Sequence, residues 1–268
     1  MNIIRWKRQA RTTLRTGFWQ ALLVCMAALF LGDTATSVAG LTPYTLHGIL
    51  QFFVTDGGAV QVLILLAIFQ LLAGGAIAVG RARYFLQAAQ GGGCVKDMLY
   101  AFALSPRHYI KIALAQFITL SIVAVTFAVP LVIIALIGGS WNVPTTIVVT
   151  LLLMLPGLTV LYRFRLLPYI LASKPDLTLG KAISTSNLWS ARTRFEMFKL
   201  DVAFVGLYIL APLTFGIGLF FVIPYHHATM AQFFTELDEM MTMHPDGSPY
   251  FNRLADIMDV EELNKLKA

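Results

Sequence analysis

Long apolar runs alternate along this chain with short segments that carry nearly all of its charge. The runs lie at 18–31, 59–79, 112–137, 145–161 and 202–223, and the second contains no charged residue. A helix of about 20 apolar residues is needed to cross the ~30 Å hydrocarbon core of a bilayer. The pattern therefore predicts membrane-spanning α-helices rather than the core of a water-soluble domain.

The last apolar region has two interpretations. Pro212, Gly216 and Gly218 interrupt its centre with residues typical of turns, and apolar character continues as far as Phe234. A hairpin of two short spans fits this pattern better than one long span over 202–223. We expect the hairpin, with the single span as the alternative.

Composition supports lipid as the solvent of the apolar runs. The chain is 57% hydrophobic and 13% charged, with a mean hydropathy of +0.73, whereas soluble domains carry roughly 25% charged residues. The predicted fold is all-α, a polytopic transmembrane helical bundle with kinked helices and cytoplasmic amphipathic helices. We expect a transmembrane domain over 1–237 and an acidic cytoplasmic tail over 238–268, with about six spans near 17–36, 59–79, 112–137, 145–163, 200–213 and 219–235.

The distribution of basic residues predicts the orientation. All 20 Lys and Arg residues fall before the first run, within 80–111, within 162–199 or in the tail, and none falls in the alternate loops at 32–58 and 138–145. Because basic loops stay in the cytoplasm, the amino terminus is expected inside, and with the hairpin so is the carboxyl terminus. The first run could also be a signal peptide, but a cut after Ala39 would follow an unusually long leader. We expect a retained first span.

Two Arg-x-Arg pairs stand at the inner ends of predicted spans, where they could contact lipid headgroups. They are Arg81 with Arg83 and Arg163 with Arg165. Each pair precedes a helical segment and a second basic cluster, which could be a parallel repeat of span, interfacial helix and span. The alternative is that the positive-inside rule alone places arginines there.

A basic amphipathic helix is expected between the fourth and fifth spans, with Asp176 as its N-cap. Leu188, Ala191, Phe195 and Phe198 recur at helical spacing. Trp189, Arg192 and Arg194 complete a pattern typical of helices that lie along the headgroup layer. Anionic phospholipid headgroups at the cytoplasmic face are therefore the expected partners. A helix that packs beneath the bundle is the alternative.

Ionisable residues in or near the last two spans are candidates for a polar cleft. Asp201, His226 and His227 form this set. Asp201 is expected to pair with the basic residues near it in sequence, which are Arg192, Arg194 and Lys199. Adjacent histidines point about 100° apart on a helix, so they lack the i,i+4 spacing of a zinc site.

We predict no metal, no cofactor and no catalytic residues, since nucleophile-elbow and Walker motifs are absent from the sequence. The net charge of +6 is explained by membrane orientation, and no nucleic-acid partner is expected.

Three blocks of the second half carry a family resemblance. They begin at Leu155, Pro175 and Leu213 and read LPGLTVLYRFRLLPYIL, PDL leading into AIxxS, and LTFGIG followed by PY and TMAxF. With RxxLRxxFW starting at Arg11, they resemble a bacterial family of multi-pass membrane proteins known as domain of unknown function 975. That family is distantly similar to the membrane domains of some glycerophosphodiester phosphodiesterases. The resemblance implies a six-span protein of the bacterial cytoplasmic membrane and supplies no catalytic residues.

Three functions are compatible with these observations. The first, which we favour, is a non-enzymatic protein that binds lipid or a partner in the cell envelope. The second is a transporter or permease-like component for a small or lipidic substrate, suggested by the helix-breaking residues Pro130, Pro156 and Pro212. The third is an intramembrane lipid-processing enzyme. Oligomeric state is left open.

Overall fold

The computed structural model describes residues 3–32, 69–137, 143–214 and 216–242, and these residues form helices and short connections without a strand. The helices are α1 (Ile3–Gly32), α2 (Gly75–Ala89), α3 (Tyr100–Ala103), α4 (Pro106–Ile137), α5 (Val143–Phe164), α6 (Leu167–Ser173), α7 (Leu179–Leu210) and α8 (Leu219–Thr242). A π-helical turn at Gln70–Gly74 leads into α2. The predicted all-α class is confirmed. The loop between the first two predicted spans, most of the second span and the tail beyond 242 lie outside the described residues.

The carboxyl-terminal apolar region forms two separate helices, so one continuous helix over 202–223 is wrong. Between α7 and α8 lies a turn that begins with the 3₁₀ segment Pro212–Thr214. Gly216 has a φ of 83°, a backbone conformation that favours glycine. The Thr214 hydroxyl accepts a 2.8 Å hydrogen bond from the amide of Gly218, which closes the turn. Pro, Thr and Gly thus end one helix and start the next, as the sequence predicts.

The core of the described structure lies where α1, α2, α6, α7 and α8 meet. Its largest fully buried side chains include Trp6, Phe85, Ile170, Phe204 and Phe233. Helix α1 runs antiparallel to α8, because Trp6 contacts Phe233 near one end and Phe18 stacks on Phe221 near the other.

Helix α7 is one continuous helix of 32 residues, about 48 Å long at 1.5 Å per residue. The predicted headgroup helix and the predicted fifth span are therefore parts of a single rod. Its N-cap is Thr178, so the expected cap at Asp176 is wrong.

The buried face of α7 corrects the interpretation of Trp189. This tryptophan is only 6% exposed and packs against Phe234, so it lies in the core and does not face the headgroup layer. Small hydroxyl residues share its face, since Ser186 and Ser190 are fully buried. Both donate hydrogen bonds to the carbonyl oxygen of Arg163, at 2.8 and 3.1 Å. Satisfied hydroxyls of this size let α5 approach α7 closely.

The opposite face of α7 exposes an unbroken stripe of large apolar side chains, at Phe195, Phe198, Val202, Val205 and Ile209. These positions follow helical spacing, so they lie on one side of the rod.

Helices α1 and α4 carry similar stripes. On α1, which is kinked at Gly17, the exposed residues Arg8, Arg11 and Arg15 before the kink are followed by Trp19 and Leu23, which are 74% and 60% exposed. On α4 the exposed Arg107 is followed by apolar positions up to Val129, which are Ile110, Leu114, Phe117, Leu120, Ile122, Val125 and Val129. We call these faces of α1, α4 and α7 the three exposed stripes. One described helical stretch, Pro106–Thr126 of α4, is long and apolar enough to cross a membrane, with a mean hydropathy of 1.7.

The two Arg-x-Arg segments differ in structure. Helix α2 continues through Arg81 and Arg83 as far as Ala89, whereas α5 ends at Phe164 and a turn separates it from α6. The connections that suggested a repeat are thus built differently.

Candidate functional site

Asp201 of α7 is the centre of a polar cluster. The guanidinium of Arg165, just beyond the end of α5, bonds both carboxylate oxygens, with Nη2 at 2.7 Å from Oδ1 and Nη1 on Oδ2. The hydroxyl of Tyr162 donates to Oδ2 at 2.7 Å. Tyr162 and Arg165 are three residues apart, so the last turn of α5 brings both to the same carboxylate.

His226 of α8 extends this cluster. Its Nε2 lies 3.1 Å from Oδ1 of Asp201, and its Nδ1 lies 2.9 Å from the hydroxyl oxygen of Tyr208. An ionised carboxylate can only accept, so Nε2 carries the proton and a neutral ring accepts from Tyr208 at Nδ1. We call these five residues, Asp201, Arg165, Tyr162, His226 and Tyr208, the Asp201 network.

Asp201 and Arg165 differ in how many of their hydrogen-bonding groups are used within the network. Asp201 accepts from both terminal nitrogens of Arg165, from Tyr162 and from His226, which fills the about four lone-pair sites of a carboxylate. Arg165 uses one N–H group of each terminal nitrogen for Asp201. Its Nη2 also lies 3.2 Å from Nε2 of His226, and this ring nitrogen is a donor in the tautomer that bonds Asp201.

A cleft of about 370 Å³ opens beside the network. Arg165 and Asp201, with 26% and 24% of their side chains exposed, form its polar end. The apolar remainder comes from α4 and α5 and is lined by Val123, Leu158, Leu161 and Phe164. Thr119 also lines it, and the Thr119 hydroxyl oxygen is buried without a hydrogen-bond partner among the described residues. The cleft therefore combines the guanidinium of Arg165 at one end with an apolar wall.

The family model described as "Protein of unknown function (DUF975)" matches residues 1–241, which include the whole Asp201 network and every wall of the cleft. The chain belongs to the DUF975 family. Comparisons with curated proteins and with solved structures find no match. The DUF975 match thus places the chain in a family and carries no activity with it.

The structure of this DUF975 member brings together two of the three residues predicted for a polar cleft. Asp201 and His226 are in contact, whereas the ring of His227 stacks on Phe85 with centroids 5.7 Å apart. His227 therefore faces α2 and takes no part in the network.

The predicted partners of Asp201 are wrong. Its cation is Arg165, 36 residues earlier in the chain, and none of the basic residues close to it in sequence. Lys199 instead bonds Glu196 on the same helix, at 2.6 Å.

The predicted headgroup arginines have different environments. Arg83 donates to the carbonyl oxygen of Ala172 at 2.9 Å and lies over the ring of Tyr100, so it joins α2 to α6. Arg165 is held in the Asp201 network. The other four predicted headgroup arginines keep partly or largely exposed side chains. They are Arg81, Arg163, Arg192 and Arg194.

Tyr162, Tyr208 and Thr119 were not predicted as site residues. Tyr208 stands seven residues after Asp201, which places both on one face of α7 and is a signal that sequence reasoning could have used. The sequence around Thr119 gave no signal of a site residue, because its position in the cleft depends on how α4 packs against α5.

Lys7 of α1 lies close to the network without joining it. Its ammonium donates to the carbonyl oxygen of Ala203 at 2.7 Å and lies 4.4 Å from the centre of the Phe204 ring. Burial lowers the pKa of Lys7. Among the described residues, no group of three His, Cys, Asp or Glu side chains could hold a metal ion.

Proposed function

We propose that this chain is a non-enzymatic, multi-pass protein of the bacterial cytoplasmic membrane that binds anionic phospholipid at the inner leaflet. The observation that carries the proposal is the order of residues along the three exposed stripes. On α1 and α4, basic side chains come first and apolar ones follow. On α7, Arg192 and Arg194 precede the stripe that starts at Phe195.

This order matches the layers of a membrane. Arginine suits the headgroup region, aromatic residues suit the interface, and aliphatic residues suit hydrocarbon. Along α7 the stripe from Phe195 to Ile209 covers about 21 Å, most of the ~30 Å hydrocarbon thickness. In water each exposed apolar surface would cost about 25 cal/mol per Å², and lipid removes that cost.

The proposal includes about six spans with both termini in the cytoplasm. Its support is the confinement of all 20 basic residues to alternate segments and the separation of α7 from α8 by a tight turn. The distant similarity to membrane domains of glycerophosphodiester phosphodiesterases is part of this proposal and implies no hydrolysis here.

The lipid-binding part of the proposal predicts a loss of lipid selectivity when the basic residues of the exposed stripe on α1 are neutralised. Replacing Arg8, Arg11 and Arg15 with Gln should lower the ratio of phosphatidylglycerol to phosphatidylethanolamine that co-purifies, because each basic residue near the surface attracts anionic lipid by ~1 kcal/mol. Lipid extraction and mass spectrometry measure this ratio. A control with Gln at Thr12 and Thr16, exposed on the same helix, should keep it. An unchanged ratio in the triple variant contradicts the proposal.

A transporter or permease-like role is the second candidate, favoured by the Asp201 network itself. Ionisable residues inside a membrane bundle often mark ion or proton pathways, and Tyr208, His226 and Asp201 form a continuous hydrogen-bonded chain. In proteoliposomes with a pH-sensitive dye inside, this candidate requires a protein-dependent proton flux that His226→Gln abolishes. Equal fluxes in both proteins would remove it.

A further inference from the structure

We infer that the cleft between α4, α5 and α7 is a binding site for one membrane phospholipid, whose phosphate bonds the guanidinium of Arg165 and whose acyl chain lies along Val123, Leu158 and Leu161. The inference rests on the proposed function, because the acyl chain must come from a surrounding bilayer. It adds one specific binding site to the general attraction of anionic lipid by the basic residues of the three exposed stripes.

The polar end of the cleft selects a hydrogen-bond acceptor. Asp201 has no lone-pair site to offer, since Arg165, Tyr162 and His226 fill its oxygens. Arg165 has five N–H groups, of which two bond Asp201. Phosphate oxygens suit the remaining donors, because arginine is the side chain best matched to phosphate.

The rest of the cleft selects an acyl chain. Its walls are Val123 of α4, Leu158 and Leu161 of α5, and Phe164. A volume of about 370 Å³ is at the lower end of the range for ligand pockets. It accommodates a headgroup phosphate with the first part of one chain, and the remainder of the lipid extends into the bilayer.

Neither the polar end nor the apolar wall of the cleft is expected to hold a ligand by itself. Asp201 already neutralises Arg165, so a free phosphate ion gains little from this guanidinium. An apolar chain without an acceptor leaves the remaining N–H groups of Arg165 without a partner from the ligand. The site therefore favours an amphiphile over either of its halves.

A pair of tryptophan substitutions on α4 tests the cleft. Val123 lines it, whereas Val125, two residues along, is 62% exposed on the outer stripe. Val123→Trp should fill the cleft and weaken phosphatidylglycerol binding by about tenfold or more, and Val125→Trp should bind like the wild type. Native mass spectrometry of the full chain in detergent, titrated with phosphatidylglycerol, measures both. Equal binding by the two variants would overturn the inference.

Two further arms identify the ligand chemistry. Arg165→Lys keeps a cation beside Asp201 but loses the planar fork, so phosphatidylglycerol binding should fall by several-fold. Inorganic phosphate at millimolar concentration should not displace the lipid. Displacement by inorganic phosphate, or no effect of Arg165→Lys, contradicts a lipid site.

Failure of the cleft is distinguishable from failure of the proposed function. If Val123→Trp remains in the membrane fraction and keeps the wild-type ratio of bulk co-purified lipids but binds titrated lipid normally, only the cleft site is wrong. If wild-type protein shows no preference for anionic lipid at all, the proposed function is wrong as well.

Discussion

Asp201→Leu is expected to lower the free energy of unfolding by about 3–5 kcal/mol. The substitution leaves the Arg165 guanidinium without its counter-ion and removes the acceptor of Tyr162 and His226. A charge in a largely buried position without a partner is far more costly than the pair itself contributes. Thermal or denaturant unfolding in one detergent measures the loss.

Two controls separate the effect of breaking the Asp201–Arg165 pair from the effect of placing a leucine on α7. The double variant Asp201→Leu with Arg165→Leu should recover most of the stability, because no unpaired charge remains. Glu196→Leu, five residues earlier on α7, breaks the pair with Lys199, whose side chain is 41% exposed, and should cost less than about 1 kcal/mol. A double variant as unstable as Asp201→Leu would contradict this account of the network.

Trp6→Ala is expected to cost about 3–5 kcal/mol. Trp6 is fully buried, its ring meets Phe233 edge-on at 5.1 Å, and its indole N–H donates to Glu236 at 2.6 Å. Removal opens a cavity between α1 and α8 and leaves Glu236 without this donor. Unfolding of the purified protein, followed by circular dichroism, measures the effect.

Trp19 provides the matched control on the same helix. It is 74% exposed, so Trp19→Ala should change stability by less than about 1 kcal/mol. Similar losses from the two substitutions would mean that α1 does not dock on α8 through its first two turns.

The helical class and the α7–α8 hairpin were predictable because they depend on local signals. Pro212 and Gly216 break a helix wherever they occur, and long apolar runs specify helices by length alone. The buried face of α7 was not predictable in this way. Phe195 and Phe198 look like core residues but lie outside, whereas Ser186 and Ser190 look like surface residues but lie inside. Membrane bundles in general bury small residues between helices, so in the bundle that we propose hydrophobicity does not indicate which face is buried.

The candidate site was predictable only in part for a similar reason. An ionisable residue in a predicted span is a candidate functional residue, and this signal selected Asp201 and His226 as candidates. The partner of Asp201 depends on packing between helices. Lys199, two residues away, points about 200° around α7 from Asp201, while Arg165 reaches it from the end of α5.

Nitroxide accessibility tests most directly whether the exposed stripes face hydrocarbon. In a variant with Cys25 and Cys94 replaced by Ala, single cysteines at Val205 and Arg8 would be spin-labelled and reconstituted in liposomes. We expect the Val205 label to collide with oxygen and to be shielded from a water-soluble nickel chelate, and the Arg8 label to show the reverse. A Val205 label that the chelate reaches as readily as the Arg8 label would contradict a lipid-facing stripe on α7.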